Sequence, residues 1–421
     1  MTRSAILSFL VAGVLTGCDD GDANPDAGPR DGGRTADAAP GADGGPGDGG
    51  TADAGTVDLG YVVSAATFGP GGIDSYVGLV PSLGDDATLD PADAIEVPGV
   101  ALLYVREGSG EFFVDSVSAL TLTKYGVEGG RPVERGQLSF AGLGFPTTQR
   151  TSANVFASET RAYLIDSGTL QMVRWNPSEM TIDETVDLSE LAGDVPALVY
   201  APVVRDGTAF FPFAYYDPAS DTIQAESVVL AVDLEDGSRT VLRDDRCGDA
   251  IYALLTESGD ILLGSGTVNA ATEYLGREGA GASCLRRIPA GALAFDEAFH
   301  PPIADFVEAD HAGGLIAGPD GDVYVRALDA SALPPEVATS AEAVAAPAWT
   351  WWRVDLDAGT ATEAVDLGAS AGRFTAFEVE GRTFATRSAA DFSSTTLLET
   401  TVEPPAERLS VTGIVGALGR L

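Results

Sequence analysis

Gly207-Thr208-Ala209-Phe210-Phe211, then Val229-Leu230-Ala231-Val232-Asp233-Leu234, a turn at Glu235-Asp236-Gly237-Ser238, and Arg239-Thr240-Val241-Leu242 form the stretch on which the fold turns. Short apolar or alternating runs bounded by Gly, Asp and Ser are strand signals. Asp and Gly between two such runs tolerate the positive φ that a tight hairpin needs. The opening part recurs as Gly60-Tyr61-Val62-Val63, Gly110-Glu111-Phe112-Phe113-Val114 and Arg161-Ala162-Tyr163-Leu164-Ile165. It returns as Gly259-Asp260-Ile261-Leu262-Leu263, Gly321-Asp322-Val323-Tyr324-Val325 and Gly381-Arg382-Thr383-Phe384-Ala385. That makes seven occurrences, 46 to 62 residues apart.

The hairpin part follows most of these. Trp351-Trp352-Arg353-Val354-Asp355-Leu356 turns at Asp357-Ala358-Gly359 into Thr360-Ala361-Thr362. Met172 to Trp175 turns at Asn176-Pro177-Ser178-Glu179 into Met180-Thr181-Ile182. Leu120 to Tyr125 meets Gly126, and Gly129-Gly130 precede Arg131-Pro132-Val133, while Leu285 to Ile288 meets Pro289-Ala290-Gly291. Units of three to four antiparallel strands at a period near 50 predict an all-β β-propeller. Each unit is too small to hide its own apolar faces, and stacking around a ring buries them against neighbours. Seven units predict seven blades. Eight is the competitor, because the intervals 259–321 and 321–381 are long, and a pair of β-sandwiches explains the period less well. Helix is expected only as single turns near Leu188–Leu191 and Ser340–Ala346. Val411-Thr412-Gly413-Ile414-Val415-Gly416 is expected to supply a strand to the closing blade.

Three segments are expected: 1–17, 18–56 and the propeller, 57–421. Met1, Thr2 and Arg3 open a short apolar run from Ala5 to Val14, and Leu15-Thr16-Gly17 precede Cys18. A basic start, an apolar stretch too short to span a bilayer and small residues before the cut form a secretory signal. With cysteine at the cut, the segment resembles a bacterial lipoprotein signal, which implies that Cys18 is lipidated. Acyl chains would then hold the chain on a membrane, at about 0.8 kcal/mol per buried CH₂. Asp19 to Thr56 is almost entirely Asp, Gly, Ala and Pro. Such a segment buries too little to offset its ordering entropy, so a disordered tether is expected.

The formal charge is −39, and residues 1–56 hold nine Asp against three Arg, or −6, which leaves −33 on the rest. That excludes nucleic acid as a partner, since phosphate binding needs basic patches. It also disfavours docking of the domain surface on anionic lipid. With Cys18 lipidated, Cys247 and Cys284 remain, an even pair in an oxidising compartment, and a disulfide is expected.

Reactive groups are sparse. His300 and His311 are the only histidines, each near a carboxylate (Asp305, Asp310), but no ligand spacing surrounds them. Acidic turns such as Asp233-Leu234-Glu235-Asp236-Gly237 lack the ligand ladder of a calcium loop. No nucleophile elbow, P-loop or dinucleotide fingerprint is present. Trp349, Trp351 and Trp352 form one aromatic patch, with Trp351 and Trp352 expected on opposite faces of a strand. Arg150, Arg161, Arg174 and Arg205 stand out because cations are scarce, and their convergence at the funnel would hold an anion. No catalytic residue, metal ligand or cofactor is assigned, and the ligand-binding residues stay open.

With its Cys18 signal, Asp/Gly-rich tether and seven-unit repeat, the chain resembles MxcI-like lipoproteins. The likeness runs through Tyr61-Val62-Val63-Ser64, Leu170 to Thr181 and Thr412-Gly413-Ile414-Val415. It implies a non-enzymatic, membrane-anchored protein, accessory to ferric-siderophore uptake, with a ferric siderophore or a TonB-dependent outer-membrane receptor as partner. The expected place is the cell envelope, with the outer membrane, at its periplasmic face or the cell surface, favoured over the inner. Alternatives are an envelope lyase or hydrolase working in the propeller funnel, and a scaffold for envelope protein assembly.

Overall fold

The computed structural model describes residues 59–421 apart from 70–71, 85–86, 90–92, 149 and 390. The signal, Cys18 and the tether lie outside the described residues, as do the first two positions of 57–421.

Seven antiparallel sheets follow one another along the described chain, and they are the blades of a seven-bladed β-propeller. The second blade shows the pattern: Ala101–Arg106, Glu111–Ser116, Thr121–Glu128 and Arg131–Ser139 pair in chain order from the channel outward. Every one of the seven quoted runs becomes the second strand of a blade: Tyr61–Gly69, Glu111–Ser116, Arg161–Asp166, Thr208–Asp217, Ile261–Ser265, Val323–Leu328 and Arg382–Ser388. These strands are covered on both faces by neighbouring blades, which is why they read as mostly apolar runs. All six residues of Val323–Leu328 are buried, and so is Ala209 through Tyr216. Between the second and third blades Phe113 and Leu122 meet Leu164, Val173 and Trp175. Between the third and fourth, Ile165 and Met172 meet Phe211 and Leu230.

The ring closes through its ends. Ile414–Arg420 pairs with Tyr61–Gly69 and serves as the inner strand of the first blade. Leu421 N–H and the Arg420 guanidinium both donate to the Gly60 carbonyl. Gly413, at φ +89°, marks the change of blade, because Ala406–Thr412 is the outer strand of the seventh. The run 411–416 therefore serves two blades rather than one.

The long intervals hold insertions, not an eighth blade. One carries helix α1, Thr267–Tyr274, and the other helix α2, Ser340–Ala345, each between the second and third strands of its blade. Helix α2 is fixed by a capping box, with Thr339 and Glu342 exchanging side-chain and backbone bonds. The fifth blade has three strands, and its outer position holds only a bridge between Cys284 and Pro302. Cys247 and Cys284 are joined by a disulfide with Cα atoms 5.6 Å apart. It ties the entry of the fifth blade to its third strand.

Candidate functional site

Inner strands begin, and second strands end, at the same mouth of the channel, because Ala250 pairs with Ser265 and Leu198 with Ala214. A narrow cleft lies at that mouth. Leu198, Tyr200, Ala214 and Tyr216 of the fourth blade form one wall, and Asp249, Ile251 and Tyr252 of the fifth form the next. Arg373 enters from the segment before the seventh blade, and Thr267, Val268, Ala341 and Val344 of α1 and α2 make the roof. The aromatic groups run across the channel: Tyr200 and Tyr252 have ring centres 6.4 Å apart, and Tyr252 stacks on Phe374 at 4.4 Å.

The roof is held by one carboxylate. Asp221, in the turn after Thr208–Asp217, accepts from Tyr216 Oη at 3.0 Å, from Arg277 Nε at 2.8 Å and from the Ser340 N–H. It thereby links a wall tyrosine, the chain leaving α1 and the first residue of α2.

Burial sets the charges here. It pushes the Asp249 carboxyl up to about 8, against a single lowering bond from Gly266. Burial raises the Tyr200, Tyr216 and Tyr252 phenols and lowers the Arg373 guanidinium, which the tyrosines partly restore. At neutral pH the cleft thus presents a protonated carboxyl, neutral phenols and a cationic arginine. Among the described residues five carboxylate side chains belong to the buried set: Asp115, Asp166, Asp221, Asp249 and Glu399. Four have an arginine partner, and Asp249 has none.

The four singled-out arginines do not converge. Arg150 is locked between Asp115 and Asp166, and burial still raises Asp115 to about 6. Arg161 donates to the Leu234 and Glu235 carbonyls, and Arg174 pairs with Asp183 and Glu184. Arg205 donates to the carbonyls of Gly259, Ile288, Pro289 and Ala292. Each stitches strands or blades together.

The histidines stay apart too. His300 precedes the Pro301–Pro302 edge of the fifth blade. His311 precedes the inner strand of the sixth, against the Tyr274 ring and with Nδ1 3.8 Å from Glu273. Trp351 and Trp352 do take opposite faces, Trp351 toward the seventh blade and Trp352 toward the fifth, while Trp349 packs under α1 and α2. Cys247 and Cys284 are spent in the disulfide, and among the described residues no group of three metal-ligand side chains forms. The residues that build the cleft, Asp249, Arg373 and the three tyrosines, carry no spacing signal. Only the position of Asp249, just before an apolar run, marks it as the mouth of a strand.

No protein-family model and no curated protein matches the chain. Solved structures do. A proposed 6-phosphogluconolactonase from Bacteroides fragilis is 11% identical with a TM-score of 0.51, over 87% of this chain and 99% of that one. A second such protein, from Bacteroides uniformis, is 11% identical with a TM-score of 0.48, over 85% and 98%. AztD from Citrobacter koseri is 13% identical with a TM-score of 0.41, over 86% and 97%. At such identities the likeness is one of fold, and the fold that the chain shares with the Bacteroides fragilis protein is the β-propeller.

Proposed function

We propose that this chain is a binding propeller held on the cell envelope by acyl chains on Cys18, without chemistry of its own, and accessory to ferric-siderophore uptake. One observation carries the reading. The described chain enters the ring at Leu59–Gly60, beside Arg420 and Leu421, at the mouth opposite the cleft. Entry there leaves the cleft mouth uncovered by the described chain. The Cys18 signal and the resemblance to MxcI-like lipoproteins support the address and the role.

Two measurements test it. Cys18→Ala should move the protein from the membrane fraction to the soluble fraction. Purified protein titrated with a panel of ferric siderophores should bind at least one, or the full-length protein should co-isolate with a TonB-dependent receptor. Retention of Cys18→Ala on the membrane sinks the anchor, and failure of both binding arms sinks the role.

A further inference from the structure

Asp249 is an exception in a molecule that otherwise answers its buried carboxylates. It is 3% exposed and takes part in no ion pair, whereas Asp115, Asp166, Asp221 and Glu399 each meet an arginine. Its placement is built in. The residue sits at φ +54°, and its Oδ2 lies against the Cα of Gly266, where any side chain would collide with it. Its carboxyl accepts one bond, from the Gly266 N–H, and meets no cation. A buried carboxyl without an opposite charge costs stability, and such costs are kept where a ligand supplies that charge.

The walls say which partner. Tyr200, Tyr216 and Tyr252 line the same cleft, and the faces of aromatic rings attract cations. Leu198, Ile251 and the α1–α2 roof are apolar and match the methyl surface of a methylated ammonium. A fully methylated ammonium has no N–H to satisfy. Arg373, which keeps its own partners, contributes a positive charge to the same lining. A bare cation would be opposed by that charge, and a bare anion would leave Asp249 unanswered. A ligand carrying both charges suits both residues.

We propose that the cleft binds a small zwitterion, a carboxylate joined to a methylated ammonium, with the ammonium among Asp249 and the tyrosine rings and the carboxylate toward Arg373. This site goes beyond the iron-uptake reading, because it assigns the cleft a small organic ligand of its own. Placing a cation beside Asp249 favours its ionised form, so binding expels a proton into solution at neutral pH. The other groups facing it do not confuse that signal. Tyr200, Tyr216 and Tyr252 stay protonated, Asp221 is held by Arg277 behind Tyr216, and Arg326, which acts on Tyr252, titrates only at about 9.

Three probes of nearly one shape test it by calorimetry on the folded protein. Glycine betaine carries both charges, 3,3-dimethylbutanoate only the carboxylate, and choline only the ammonium. Betaine should bind at least tenfold more tightly than either, releasing close to one proton at pH 7. Asp249→Asn should weaken betaine at least tenfold, abolish the proton release and leave dimethylbutanoate unchanged. Gly266→Ala, which displaces Asp249 without removing it, should weaken betaine too. Equal affinity for betaine and dimethylbutanoate, no binding of any probe, or unaltered betaine binding by Asp249→Asn overturns the proposal. None of these outcomes touches the siderophore and receptor tests, so the two readings fail separately.

Discussion

Asp221 receives the backbone N–H of Ser340 on both carboxylate oxygens, at 3.2 and 3.1 Å, across 119 positions of sequence. This bond joins the turn of the fourth blade to the first residue of α2. The same carboxylate holds Arg277, which follows α1, so one side chain fastens the whole roof. The layer beneath is built largely of alanine, with Ala270, Ala271, Ala343, Ala346 and Ala348 around Trp349. Small side chains bury little area, so the clasp rather than the packing sets how firmly the roof is shut.

Asp221→Ala should therefore loosen the roof locally. Hydrogen bonds to charged groups contribute about 1.5–3 kcal/mol each. Amide exchange in Ser340–Ala345 should accelerate by one to two orders of magnitude, with the blades unchanged. Unaltered protection across α2 would show that the packing alone holds it.

Arg150→Met leaves Asp115 and Asp166 facing each other without a cation. Breaking a buried pair in this way costs about 3–5 kcal/mol. The deficit at pH 7 should shrink toward acid pH. Asp115 is raised by burial to about 6 even with Arg150 beside it, and removing that cation raises it further, so the variant takes up its proton at higher pH than the wild type and its deficit shrinks as pH falls from 7.5 toward 6. Urea midpoints at pH 5 and pH 7.5 check this.

Asp249 gives the unliganded wild type a slope of its own. Its folded pKa of about 8 lies above the ordinary carboxyl value of 3.8. The native state thus keeps a proton that the unfolded chain gives up, and stability falls as pH rises between those values. Asp249→Asn should flatten that fall, so the variant gains on the wild type from pH 6 to pH 9. Parallel urea-midpoint profiles for the two proteins would contradict the burial of a carboxyl without a cationic partner.

Removing the Cys247–Cys284 bridge frees a loop whose ends are 37 positions apart. Chain-entropy arithmetic for such a loop gives about 4 kcal/mol. The double Ser variant should lose stability of that order and lose it equally with or without reductant, whereas the parent should fall to its level only when reduced.

The blades were legible because their second strands are sealed on both sides. Val323-Tyr324-Val325 and Ala209–Tyr216 advertise that burial as largely apolar runs behind a Gly-led turn. Inner strands are harder to see. Ala197–Val199 has three residues and Ala376–Val379 four, and half-exposed channel positions tolerate polar side chains. Helix α1 escaped notice because Thr-Val-Asn-Ala-Ala-Thr-Glu-Tyr has low helix propensity, and packing on α2 stabilises it instead. The cleft was invisible for a different reason. Tyr200, Asp249 and Arg373 come from three blades, and ring geometry alone brings them to one mouth. Arg150 and Arg205 misled because scarcity of cations suggested ligand contacts, whereas the fold uses them as internal ties.

The Arg420-to-Gly60 bond spans 360 positions, and it belongs to the strand that completes the first blade. The opening blade is consequently the last to be finished. During synthesis Tyr61–Gly69 waits with one edge bare until Ile414–Arg420 arrives. A product interrupted anywhere before that point keeps an unclaimed β edge, open to proteolysis or to a neighbouring chain.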